Sequence, residues 1–83
     1  KILVNALCPG WVDTEMAHEG LRAFSENLNI SKESAFEQAM NDVPLRKMSE
    51  PDEIAQLTSF LISDAQTSIT GQTLDINNGA MMP

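Results

Sequence analysis

Two short strand-like segments lie near the two ends of this chain, and the residues between them read as helix and turn, so the chain cannot complete a sheet by itself. A stable independent sheet needs three or more strands or a helix packed across it. The first segment, Ile2-Leu3-Val4-Asn5-Ala6-Leu7, is a nearly continuous apolar run closed by Pro9-Gly10. That is the pattern of a strand buried on both faces of a parallel sheet. The second, Thr73-Leu74-Asp75-Ile76, alternates in polarity before Asn77-Asn78-Gly79 closes it. The remaining strands are expected from elsewhere. The chain begins with Lys1 rather than methionine, at the edge of a strand, which places the expected N-terminus of the parent protein upstream.

Three helices are expected between the strands. Ala17, Leu21, Phe24 and Leu28 recur at helical spacing, weakened by Gly20, and Asn29-Ile30-Ser31 punctuates. Ser31 is an N-cap candidate for a second helix striped by Ala35, Phe36, Ala39, Met40 and Val43, which Asn41-Asp42 and Pro44 end. The third helix has the clearest start, because Ser49-Glu50-Pro51-Asp52-Glu53 offers a capping hydroxyl, a first-turn proline and three acids beside the positive end of the helix dipole. Ile54, Leu57, Thr58 and Leu61 line one face, and Ala55, Phe60 and Ile62 widen it, so this helix is expected to be covered on more than one side. Strands at the ends with helices between them make the expected fold class α/β.

Charge narrows the partners. A net charge of −7 has the wrong sign for a protein that grips phosphate backbones, so nucleic acid is not expected. Residues 13 to 53 hold ten of the twelve acids and four of the five bases, which marks a solvated middle segment. No apolar run approaches the roughly 18 residues of a membrane span, and no secretory leader pattern is present, so no membrane partner is expected. One cysteine, Cys8, and one histidine, His18, give neither an internal disulfide nor a Cys/His zinc site, and no metal is expected. A reduced, cytoplasmic setting follows.

Val4-Asn5-Ala6-Leu7-Cys8-Pro9-Gly10-Trp11-Val12-Asp13-Thr14, then Pro44-Leu45-Arg46-Lys47 with Glu50-Pro51-Asp52-Glu53-Ile54-Ala55, then Phe60-Leu61-Ile62-Ser63-Asp64 and Ile69-Thr70-Gly71-Gln72, follow one another in a telling order. In order and spacing they resemble the C-terminal third of a short-chain dehydrogenase/reductase, over nearly the whole chain. The resemblance implies the C-terminal part of a Rossmann-type doubly wound parallel sheet, in a protein that moves a hydride between NAD or NADP and a small carbonyl or alcohol substrate. It implies three stretches: residues 1–14 as strand and nicotinamide loop, 15–43 as substrate lid, and 44–83 as last helix and strand. By the same match Pro9 packs near the nicotinamide ring, Gly10 permits close approach, the main chain of Val12 bonds the carboxamide, and Thr14 contacts the carboxamide or the pyrophosphate through its hydroxyl. Trp11 and Met16, which flank that loop, are the substrate-side candidates, with plain core filling as the alternative for each. Leu21, Phe24 and Met40 serve either the pocket or ordinary packing.

The chain departs from the family pattern at two places, with Asn77-Asn78-Gly79 where Asp-Gly-Gly is common and Lys47 where arginine is common. There is no tyrosine, and the four glycines form no phosphate-binding cluster. The family's tyrosine, lysine, serine and glycine turn are therefore expected upstream, and no catalytic residue is named in this chain. A homo-oligomer, dimer or tetramer, is implied, with Phe60, Leu61, Leu74 and Ile76 divided between core and interface and Met81-Met82-Pro83 reaching a neighbour. The alternative is a truncated, non-catalytic binding or assembly module of the same fold. Glu15 and His18 have the spacing of helical carboxylate metal sites but lack the second copy such sites need, so a surface pair is expected. Cys8 is expected as a small buried hydrophobe, and Asn29-Ile30-Ser31 as loop and cap rather than a glycan acceptor.

Overall fold

The order of elements follows from where the sequence stops and starts its helices. A computed structural model describes residues 2–80; Lys1 and Met81-Met82-Pro83 lie outside the described residues, and with them the expected reach of the chain end toward a neighbour. Strand β1 (Ala6–Pro9) is followed by helices α1 (Glu15–Leu28), α2 (Lys32–Met40) and α3 (Pro51–Ile62), and then by strand β2 (Thr73–Ile76). β1 and β2 pair in parallel, with Ala6 opposite Thr73 and Pro9 opposite Ile76. A parallel pair needs a long crossover, and the three helices with their turns provide it.

β1 starts later than the apolar run suggests. Ile2, Leu3 and Val4 stay outside the strand because β2 begins at Thr73 and offers them no ladder partner. Val4 is tied instead by single bonds: its N–H donates to Thr70 Oγ1 at 3.0 Å, and Gly71 N–H donates to its carbonyl at 2.7 Å. Asn5 acts as a splice. Its side-chain amide donates to the Ile69 carbonyl and its side-chain oxygen accepts from Gln72 N–H, both at 3.0 Å.

Nor is β1 buried on both faces. Leu7 and its partner Leu74 are half-buried on the side that α3 approaches through Leu61, while Ala6 and Cys8 on the other side are exposed. Cys8 is thus an exposed free thiol rather than a core residue, because no described element covers that face. α3 buries no residue fully, and Ile62 is 81% exposed. The surface that its pattern marks for cover on several sides is open among the described residues.

The helix ends follow elementary capping chemistry. Ser31 accepts from Ser34 N–H at 3.1 Å at the start of α2, and Asn29 closes α1 in the left-handed conformation, φ 53°. At α3 the expected capping hydroxyl of Ser49 is not used. Glu50 is the N-cap, with its own N–H donating to Glu53 Oε1 at 2.9 Å, and Pro51 takes the first helical position. α2 ends at Met40, so Val43 joins the apolar stripe from the following turn, while Phe36 faces outward. The core consists of Leu21, Met40, Val43 and Met48, with Trp11, Ala17 and Ala39 packed against it. It sits between α1, α2 and the connector to α3, next to the carboxyl end of β1.

Candidate nicotinamide-loop site

The segment after β1 is held from one side only. Ser49 N–H donates to the Trp11 carbonyl at 2.9 Å and the Ser49 carbonyl accepts from Asp13 N–H at 2.8 Å, a single parallel bridge centred on Val12. Successive residues of an extended segment turn their backbone groups to opposite edges. Val12 therefore directs its own N–H and C=O away from Ser49. Among the described residues its N–H has no hydrogen-bond partner, and its carbonyl receives only the Thr14 hydroxyl at 3.4 Å.

The rest of the loop is fixed by its neighbours. Gly10 N–H donates to the Ile76 carbonyl at 3.2 Å, and Gly10 passes so close to the turn after β2 that a Cβ there would lie 2.8 Å from Asn77 Cβ. Only glycine allows that approach. Thr14 is the N-cap of α1, its Oγ1 accepting from Ala17 N–H at 3.3 Å. His18, one turn into α1, reaches back to Asp13, with Nε2 to Oδ1 2.6 Å. Asp13, rather than the expected Glu15, is its partner, because the loop brings Asp13 under the first turn of the helix.

An open recess of about 590 Å³ forms here, lined by Pro9, Gly10, Trp11, Val12, Thr14, Met16 and Ala17. The six site residues expected from the sequence thus share one recess, at the carboxyl end of a parallel strand, where open α/β sheets place their ligands. Trp11 is half-buried and also packs on the core, whereas Met16 is 82% exposed and belongs to the recess alone. Leu21 and Met40 are core residues, and Phe24 lies outside the recess. No group of three or more His, Cys, Asp or Glu that could hold a metal ion occurs among the described residues. No helix there is long and apolar enough to cross a membrane.

Residues 1–81 match the family model described as enoyl-(acyl carrier protein) reductase. The chain belongs to the short-chain dehydrogenase/reductase family. It is 42% identical over 78 residues to an acetoacetyl-CoA reductase of Shinella zoogloeoides, covering 94% of this chain and 28% of that one. It superposes with a TM-score of 0.88 on a short chain dehydrogenase family protein of Francisella tularensis, at 37% identity, covering 95% of this chain and 33% of that one. A crystal structure of actinorhodin polyketide ketoreductase with NADPH matches with a TM-score of 0.82 at 35% identity, covering 95% of this chain and 30% of that one. The chain spans about a third of the length of these relatives. Its two strands and three helices are accordingly a part of the family's α/β Rossmann-type fold.

Three site residues of this short-chain dehydrogenase/reductase chain escape a reading of the sequence. Ala17 is one, since an alanine at helical spacing signals only packing. Ser49 reads as a helix cap and is a strap, and Asn78, whose side chain bonds Ser49, reads as a turn. No local pattern reveals either role, because their partners lie far away along the chain. The Asp13–His18 pair did carry a weak signal, a charge beside a helix start with histidine a turn and a half on.

Proposed function

We propose that the protein containing this chain is an NAD(P)-dependent oxidoreductase, moving a hydride between the nicotinamide and a carbonyl or alcohol substrate. Residues 1–14 act as strand and nicotinamide clamp, 15–43 as substrate lid, and 44–83 as the last helix, strand and oligomer interface. The observation that carries this reading is the main chain of Val12. A primary carboxamide offers one acceptor and paired donors, and Val12 presents a free N–H and a nearly free C=O beside the recess. Held along that edge, with Pro9 and Gly10 beneath it, the ring would expose one face to a substrate bounded by Trp11 and Met16.

When bound, the nicotinamide supplies the hydride. This chain's residues orient it and shape the substrate's side of the recess, while proton transfer to the carbonyl oxygen falls to a tyrosine and lysine outside the chain, which itself contains no tyrosine. The names of the relatives favour NADPH and a keto group on an acyl thioester as the first pair to test. Titrating NADPH and NADH into the full-length protein, with Trp11 emission as the signal, is expected to show saturable quenching, and NADPH oxidation is expected with acetoacetyl-CoA. Absence of binding with both cofactors would overturn the reading. The open side of α3, with Phe60 and Ile62 exposed, is proposed to meet a symmetry copy. Light scattering on an Ile62→Glu variant tests it, the expected result being a smaller assembly.

A further inference from the structure

Asn78 occupies a left-handed backbone conformation, φ 57°, that glycine adopts freely and asparagine less so. Its side chain is used on both sides of the connector before α3. Nδ2 donates to the Lys47 carbonyl at 3.1 Å and to the Ser49 hydroxyl at 3.0 Å. The same residue's carbonyl accepts from Leu45 N–H at 3.2 Å. Glycine would satisfy the backbone and make neither side-chain bond. Ser49 is 2% exposed, and its own N–H and C=O hold Trp11 and Asp13. An unbroken path of hydrogen bonds therefore runs from the turn after β2, through a buried serine, to the segment that carries Val12. The close approach of Asn77 to Gly10 grips the same loop a second time.

We infer that Asn78 is a positioning residue for the recess: its side-chain amide fixes residues 47–49, these fix Trp11–Asp13, and the direction of the free Val12 N–H and C=O is set in consequence. Asn78 does not line the recess itself. Its effect on cofactor rests on the proposed function, whereas its effect on the loop does not.

Two measurements on the full-length protein separate these. In hydrogen exchange without cofactor, Asn78→Gly is expected to speed exchange at residues 10–14 and 47–50 at least about fivefold, the worth of one of the two hydrogen bonds it removes, and to leave α2 unchanged. Ser49→Ala should act in the same direction, and the double variant should fall short of the sum, because both act through one path. Where Asn78→Gly does not fold, Asn78→Asp serves. Its carboxylate can accept from Ser49 but cannot donate to Lys47, so exchange rises at 47–50 more than at 10–14. In the second measurement the Kd for NADPH is expected to rise about fivefold in Asn78→Gly. Unchanged exchange at 10–14, uniform loosening that includes α2, or simple additivity would overturn the inference. A wild-type protein that binds neither NADPH nor NADH sinks the proposed function instead, and the exchange measurement alone then decides whether Asn78 orders the loop.

Discussion

Thr14 is asked to do two things with one hydroxyl, and substitution can separate them. Its Oγ1 accepts from Ala17 N–H at 3.3 Å and donates to the Val12 carbonyl at 3.4 Å, so both its proton and a lone pair are engaged before any ligand arrives. Thr14→Ala removes the cap of α1. N-caps contribute about 0.5–2 kcal/mol, and the long, exposed contacts here argue for the lower half, about 1 kcal/mol, or about a fivefold rise in opening of the first helical turn. Hydrogen exchange at residues 15–19 of the full-length protein reads that opening directly. Thr14→Ser should match the wild type. Thr14→Asn should also hold the turn closed, since asparagine caps at least as well, but it cannot offer a hydroxyl to a carboxamide. Unchanged exchange in Thr14→Ala would refute the capping argument, and cofactor affinity that survives in Thr14→Asn would remove the hydroxyl from the clamp.

Three further outcomes are expected. The 83 residues produced alone should neither melt cooperatively nor turn over a nicotinamide, because their radius of gyration is 15.7 Å against about 12 Å for a compact chain of this length; a sharp calorimetric transition would contradict this. Gly10→Ala should destabilise the full-length protein by about 1–3 kcal/mol in denaturant titration, since the new methyl would meet Asn77 Cβ at 2.8 Å and its Cα at 3.1 Å; an unchanged midpoint would show that the loop yields freely. The N–H of Glu50, and then Lys47, hold the Glu53 carboxyl below its ordinary 4.5, so the start of α3 gains stability above that value and loses it as pH falls below. Glu53→Gln should flatten this acid response, as followed by exchange at residues 51–54.

Where structure is decided locally, the sequence was a sufficient guide. Pro51 beside three acids starts α3, Asn29 ends α1, and the alternation of Thr73 to Ile76 is β2 residue for residue. The loop at Pro9-Gly10 was legible for the same reason, as a strand followed at once by a breaker. Ser49 reads as a cap because a serine before Glu50-Pro51 satisfies the local rule for one, and only the return of residues 11–13 gives its backbone another task. The bounds of β1 depend on β2, and the burial of Cys8 depends on whatever covers the sheet. Those are properties of partners distant in the chain, to which no window of residues has access.

The splice at Asn5 has a consequence for the chain as it is made. Its partner Gln72 lies 67 positions later, and at about 5–20 residues per second a ribosome needs roughly 3–13 s to supply it. Ser49 emerges part-way through that interval and Asn78 shortly after its end. Until Asn78 follows, the strap at Ser49 lacks the side chain that bonds it and Gly10 lacks the carbonyl of Ile76, so Trp11 and Met16 stand open on nascent chain. The recess is thus among the last features of this chain to form during synthesis, and its apolar wall is available to chaperones for seconds before the loop is set.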